Sequence, residues 1–249
     1  MLKIGNIKKR SQFMGMHILF SICLLIFALW LVFGVWYPAP LAVAVGVMSI
    51  YGMLLAVDLI IGPMLTFVVY KEDKKKLKFD LFVIILLQMS AYLFGLYTIA
   101  QGRPAWQVFV VDDIELISPI DLRKTEDYKI KEDFKPLLWG KPQWVAAVYA
   151  SDPVKMQQQK EDEMFNGINI SARPETYEKI QVEARAVVDK LKPIAELGKF
   201  NYEAEIKKQL SPYNNVKGWL PVKAPEVDMV ALFDEHGQPI DIVNLRPWD

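Results

Sequence analysis

The chain has 249 residues, 53% of them hydrophobic, and its 29 basic and 29 acidic side chains cancel to a formal charge of zero. The balance is uneven along its length: residues 1–100 carry 9 basic and 4 acidic side chains, and residues 101–249 carry 20 and 25. No basic stripe is laid out for nucleic acid, the single Cys23 excludes an intrachain disulfide or a thiolate zinc cluster, and two distant histidines, His17 and His236, argue against a histidine metal site or a Ser/His/Asp triad.

Residues 1–12 hold Lys3, Lys8, Lys9 and Arg10 ahead of an almost wholly apolar run, 13–36, broken only by Gly15, His17, Ser21 and Gly34. At ~1.5 Å per helical residue this run crosses hydrocarbon ~30 Å thick. Ala42-Val-Ala44 resembles a signal-peptidase site, but the run exceeds a signal-peptide core and further apolar stretches follow, so an uncleaved anchor is expected. A second stretch covers 41–70 and a third 79–100, separated by the charged loop 71–78. Only residues 36–40, Trp-Tyr-Pro-Ala-Pro, join the first two, which predicts an antiparallel hairpin with Trp36 and Tyr37 at headgroup level and Pro38 and Pro40 ending the helix. The second stretch is longer than a span needs and is expected to tilt or to kink at Gly62-Pro63. Four basic residues precede the first span and five lie in 71–78, against none in 36–40 and Arg103 alone just beyond the third span, which predicts a cytoplasmic N-terminus and a periplasmic domain from 101 to 249.

Asp58 is the one acid placed deep within a span, where it costs on the order of 3 kcal/mol. Gln88, Ser90 and Tyr92 fall at matching depth in the third span and could hydrogen-bond it, making a protonated Asp58 the first reading, as glue between helices. The second reading is a site for a polar or cationic group from another membrane helix, with Pro63 freeing the carbonyl of Leu59 as a further acceptor. A single acid is a poor proton relay, so transport is set aside. Gly52 with Ala56, and Ala91 with Gly95, would permit close helix approach.

Beyond Arg103-Pro104, the run 106–111 reads as a strand ended by Asp112 and Asp113, and 144–149 as a second. A polar helix is expected near 153–165, and a clear amphipathic helix over 174–191, with Tyr177, Ile180, Ala184, Val187, Val188 and Leu191 on one face. A shorter helix follows over about 201–210, then a strand at 219–222. Residues 229–233 and 240–245 read as a hairpin whose turn holds a solvated His236. The expected fold is a three-helix membrane anchor, 13–100, followed by an α+β domain, 101–249, with a mixed or antiparallel sheet. Asp112, Asp113 and Glu115 could suggest a cation site, but strand ends gather acids for turns anyway. No GxxxxGK[ST], HExxH or GxSxG motif occurs, and no cofactor, metal or catalytic set is expected. The sequon Asn169-Ile-Ser171 carries little weight.

Residues 36–115 resemble the type IV pilin accessory proteins, TfpX/TfpZ. The resemblance lies in Trp36-Tyr-Pro-Ala-Pro-Leu41, Val57-Asp-Leu-Ile-Ile-Gly-Pro-Met-Leu65, Leu77-Lys-Phe-Asp-Leu81, Gln88, Gly95-Leu-Tyr-Thr98, Arg103-Pro-Ala-Trp106 and Phe109-Val-Val-Asp112. Beyond residue 120 only general character matches. The resemblance implies an inner-membrane protein that assists assembly or surface display of its cognate type IV major pilin by binding it, alongside membrane lipid and the inner-membrane pilus assembly machinery, and without catalysis. Trp36, Tyr37, Pro38, Gly62, Arg103, Pro104, Trp106 and Asp112 are its motif positions, and Asp58, Pro63, Gln88 and Tyr92 the candidate intramembrane site. The alternative is a membrane-bound enzyme modifying pilins or glycans with the acids at 112–115, which lacks a convincing acid, base and nucleophile set. A sensor would need more on the inner face than 1–12 and 71–78.

Overall fold

The structure, a computed structural model, describes the backbone of residues 4–48, 51–52, 60–70, 75–124 and 128–249, with side chains from residue 9 onward. The chain divides into two units, one of residues 1–34 with 47–100 and one of residues 35–46 with 101–249.

In the first unit, helix α1 (Ile4–Leu29) continues into a π-helical stretch, Trp30–Trp36, whose last two residues belong to the second unit. Among the described residues two helices are long and apolar enough to cross a membrane, Lys9–Trp36 and Leu77–Gln101, with mean hydropathies of 2.9 and 1.9. Their outward positions hold Met16, Leu19, Ile26, Phe82, Leu87 and Phe94, more than half exposed, a surface suited to hydrocarbon and ill suited to water. Of the expected middle span, 41–70, residues 49–50 and 53–59 lie outside the described residues. Its described C-terminal part is a helix, Gly62–Val69, with Pro63 in its first turn, where the missing N–H costs nothing. This helix packs on α1, and Tyr70 just beyond it stacks on Phe13 with ring centres 4.6 Å apart.

The start of the middle stretch departs from the expectation. Leu41–Val45 is a five-residue helix, α2, that belongs to the globular unit and not to the apolar one. Leu41 is 3% exposed and Ala44 fully buried, in one cluster with Phe109, Ile114, Val222 and Met229. The carbonyl of Ala44 accepts hydrogen bonds from the backbone of Glu226 (3.0 Å) and Val227 (3.2 Å). Gly46 then closes α2 at φ +71°, and a Cβ there would overlap the Glu226 side chain, so glycine is required twice over. The helices that follow are α3 (Gly62–Val69) and α4 (Leu77–Gln101).

The described residues of the second unit form an α+β fold on a seven-stranded mixed sheet. Its strands are β1 (Trp106–Val110), β2 (Asp113–Ile117), β3 (Gln143–Ala147), β4 (Tyr177–Lys179), β5 (Gly218–Lys223), β6 (Met229–Phe233) and β7 (Pro239–Val243), in the order β4-β3-β1-β2-β5-β6-β7. The pairs β1/β3 and β2/β5 are parallel and the rest antiparallel. Both faces are covered, as β6 shows. Met229, Ala231 and Phe233 enter the cluster that holds Leu41, while Val230 and Leu232 enter another with Trp219 and Leu245, so the period-two alternation yields an unbroken apolar strand.

Helix α5 (Pro153–Asn166) matches its expected bounds closely, with Asp152 as N-cap accepting from the Lys155 N–H at 2.9 Å. The long helix expected over 174–191 breaks up. Tyr177–Lys179 pairs with β3 as edge strand β4, and only Ala184–Lys190 is α-helical, α6. Tyr177 decides this: its hydroxyl donates to the Ser171 carbonyl at 2.5 Å and its ring lies against Trp106 and Phe134, which fixes an extended backbone where its spacing to Ile180 and Val187 suggested a helix. Helix α7 (Glu203–Leu210) and the β6/β7 hairpin follow the sequence pattern. In that hairpin Asp234 caps the turn by accepting from the N–H groups of His236 (2.9 Å) and Gln238 (2.8 Å), and His236 stands exposed.

If residues 35–46 are core, Leu41→Ala will destabilise the globular unit by about 2–4 kcal/mol. Val43→Ala, at a half-exposed position of the same helix, will change it little. Pulse proteolysis of the detergent-solubilised protein reads both.

Candidate functional site

The apolar unit contains a polar network. His17 and Ser21 lie four residues apart on one side of α1, both buried, and face Thr66 of α3 and Gln88 of α4. His17 Nδ1 is 2.6 Å from Thr66 Oγ1, His17 Nε2 contacts Gln88 Oε1, and Gln88 Nε2 donates to Ser21 Oγ at 3.1 Å. One tautomer satisfies the set: Nε2–H donates to the amide oxygen and Nδ1 accepts from the threonine hydroxyl. Gly62 is part of the arrangement, because a Cβ there would overlap the Gln88 amide. Beside the network a crevice of about 280 Å³ is lined by Phe13, Met16, Phe20, Leu81 and Ile85, with His17 and Thr66 as its polar groups. Polar pairs between helices of this kind replace contacts that hydrocarbon cannot supply, and they fix register.

Tyr92 and Tyr51 add two ties of the same kind, donating to the carbonyls of Leu24 (2.9 Å) and Leu25 (3.3 Å) in α1. Ser90 is turned back on its own helix, bonding the Leu86 carbonyl at 2.8 Å. Of the candidate intramembrane residues, Gln88 and Tyr92 are therefore engaged with α1, and Pro63 is buried at the start of α3. Asp58 and Leu59 lie outside the described residues. Sequence reasoning treated His17 only as an interruption of an apolar run. The i, i+4 spacing of His17 and Ser21 was the signal that could have found the network.

The motif residues outside the apolar unit form a second group. Trp36 and Tyr37, expected at headgroup level, are 4% and 2% exposed. The Trp36 indole N–H donates to the Leu138 carbonyl at 2.7 Å, which holds its ring in the globular unit. Burial pushes the Tyr37 hydroxyl above the ordinary tyrosine range, with Arg103 acting in the opposite direction. Arg103 is itself buried, its pKa lowered by desolvation, and its guanidinium reaches the Leu137 carbonyl at 3.4 Å. Pro38 supplies the carbonyl that the Leu41 N–H bonds at 2.8 Å. Pro104 is buried, and Trp106, fully buried, donates to the Phe134 carbonyl at 2.9 Å. These conserve position through packing, and none presents a reactive group.

The acids at 112–115 are likewise used by the fold. Asp112 sits in a tight reversal, its N–H 2.6 Å from the Val110 carbonyl beside Val111 at φ +55°, and β2 begins at once with Asp113, a strand the sequence pattern hid. Asp113 is ion-paired with Lys223, and Glu115 accepts from the Ser171 hydroxyl. Burial raises the Asp113 pKa, opposed by Lys223. Among the described residues no group of three or more His, Cys, Asp or Glu side chains is arranged to hold a metal ion.

Residues 5–46 match the family model for the fimbrial assembly protein FimB. The chain is 32% identical over 114 residues to the fimbrial assembly protein of Dichelobacter nodosus serogroups C1 and C2, covering 45% of this chain and 87% of that one. The chain belongs to this fimbrial assembly protein family. The D. nodosus fimbrial assembly proteins of serogroups E1 and I are each 27% identical over 188 and 190 residues, about 75% of this chain and 73% of theirs. Those matches are longer than either unit, so this similarity reaches into both. No solved structure matches the chain. The resemblance of residues 36–115 to type IV pilin accessory proteins leads to the same type IV pilus assembly-related family.

If the four side chains act as one network, a double-mutant cycle on His17→Leu and Gln88→Leu will return a coupling of about 1 kcal/mol, within the range for polar pairs between membrane helices. Unfolding in mixed micelles measures it, and additive single effects would show the pair to be independent.

Proposed function

We propose that this fimbrial assembly family member is an inner-membrane accessory protein that assists assembly or surface display of a cognate type IV pilin by binding it. The observation that carries the reading is the span of similarity to proteins named for fimbrial assembly, which includes the apolar unit as well as the globular one. A helper for a subunit with both a membrane-embedded and an exposed part needs surfaces of both kinds. In this reading the N-terminus is cytoplasmic, three spans lie within 13–100, and residues 101–249 are periplasmic, as the Lys and Arg distribution favours.

Within the membrane, Asp58 receives a polar or cationic end of the partner helix in this reading, beside the α1 contacts of Gln88 and Tyr92. The globular unit, residues 121–249 in particular, selects the pilin. The role is non-catalytic in this account, which draws support from the structural partners of Asp113 and Glu115, the residues an enzyme reading would need free.

Detergent co-purification of the tagged protein with its neighbouring pilin tests the proposal. Pilin of unchanged mass is expected in the full-length pull-down, with capture reduced severalfold by Asp58→Asn. Exchanging residues 121–249 with those of a relative is expected to transfer pilin preference. Absence of pilin from the pull-down, or pilin of altered mass, would refute a binding accessory.

A further inference from the structure

The loop between the 3₁₀ turn Glu132–Phe134 and β3 reads Lys135-Pro-Leu-Leu-Trp-Gly-Lys-Pro142. Three successive large apolar side chains in it are open to solvent: Leu137 is 61% exposed, Leu138 50% and Trp139 61%. A run of this kind at a domain surface needs an apolar environment. Their backbone is held firmly. The Gln143 side-chain amide donates to the Lys135 carbonyl at 2.9 Å and closes the base of the loop, and the Gln143 N–H donates to the Ala105 carbonyl at 2.8 Å. Gly140 permits the tight tip, since a Cβ there would come within 2.7 Å of the Leu137 Cβ.

The residues that hold the tip lie at or just beyond the ends of the two apolar helices. The Leu138 carbonyl accepts from Trp36, the last residue of the apolar helix Lys9–Trp36, and the Leu137 carbonyl from Arg103, two residues past the end of Leu77–Gln101. Both donors are the points at which a span-length helix leaves its apolar stretch. The carbonyls face those donors and are satisfied, while the side chains of 137–139 keep half or more of their surface exposed. Lys135 and Lys141 flank the trio, and Lys135 is ion-paired to Glu132 at 2.7 Å. Aromatic and aliphatic tips bracketed by lysines are suited to the boundary between headgroups and acyl chains. Other exposed apolar residues of the globular unit, such as Met164, Phe165 and Tyr202, carry no such tie to a helix exit.

We infer that Leu137, Leu138 and Trp139 form an interfacial anchor that inserts into the lipid leaflet where the first apolar helix and α4 emerge, with the bilayer as the partner. The sequence placed Trp36 and Tyr37 at that level; the structure buries both, and in this inference Trp139 takes their place. The inference rests on the membrane-spanning reading of the two apolar helices.

The test uses the full chain with Cys23→Ser, reconstituted in phosphatidylcholine vesicles, with an environment-sensitive thiol label introduced by Trp139→Cys, Ile26→Cys or Tyr202→Cys, one at a time. Bromine on the acyl chains near the headgroup reports insertion to the shallow depth of ~5–10 Å expected of an interfacial anchor, and bromine near the chain ends reports on position 26, ~15 Å of helix inside Trp36. The label at 139 is expected to be quenched by the shallow bromine, the label at 26 by the deep bromine, and the label at 202 by neither. Quenching at 26 without quenching at 139, or equal quenching at 139 and 202, overturns the anchor while leaving the spans in place. No quenching at 26 overturns the membrane reading and the anchor with it. Where labelling at 139 impairs folding, Trp139→Phe in the otherwise native chain gives the same answer: it must reduce the lipid-quenchable part of the indole emission, and an unchanged part overturns the anchor.

Discussion

Everything in this structure depends on how residues 35–46 are held. Leu41 and Ala44 sit in the core of the globular unit, and the Ala44 carbonyl is fixed by two backbone donors from the segment leading into β6. The globular unit is consequently assembled from two pieces of chain separated by the apolar residues 47–100. The chain passes between the units three times, at 34–35, 46–47 and 100–101. The hydrogen bonds from Glu226 and Val227 to the Ala44 carbonyl also span most of the chain, so the globular unit cannot complete its packing until its last strands exist, and such distant closure slows folding.

The same segment explains why the motif positions cluster where they do. From sequence alone Trp36 and Tyr37 read as headgroup-level residues, and Pro38, Arg103, Pro104 and Trp106 stand with them as motif positions. In the fold they are the joinery at the two ends of the apolar helices: buried rings and a buried guanidinium that satisfy the carbonyls of 134, 137 and 138. Buried arginine is costly unless its donors are used, and here the guanidinium meets a backbone carbonyl. In the apolar unit a comparable economy holds, with hydroxyl, imidazole and amide groups of His17, Ser21, Thr66 and Gln88 bonded to one another.

Most of the sheet was legible in the sequence, because β1, β3, β5 and the β6/β7 hairpin are β-branched or aromatic runs bounded by turn residues. Strand β2 was hidden because only a two-residue reversal at Val111-Asp112 separates it from β1, and its acids looked like a strand end. The stretch 174–191 misled because helical spacing and a mixed strand, 3₁₀ and helix path bury the same residues, Tyr177, Ile180 and Val187. The segment 41–46 misled for a different reason: Leu-Ala-Val-Ala-Val is as apolar as a membrane helix, and hydropathy cannot distinguish hydrocarbon from a protein core. The polar network was legible in part, as His17 and Ser21 share a helix face, but its partners on α3 and α4 come from tertiary packing.

The central claim is that residues 35–46 complete the globular core. It is tested most directly by expressing residues 101–249 alone and joined through a flexible linker to residues 35–46, and comparing their thermal unfolding by near-ultraviolet circular dichroism. The account predicts a cooperative transition only when 35–46 is present, or one higher by several degrees with it than without it. Identical transitions in the two proteins would contradict the account.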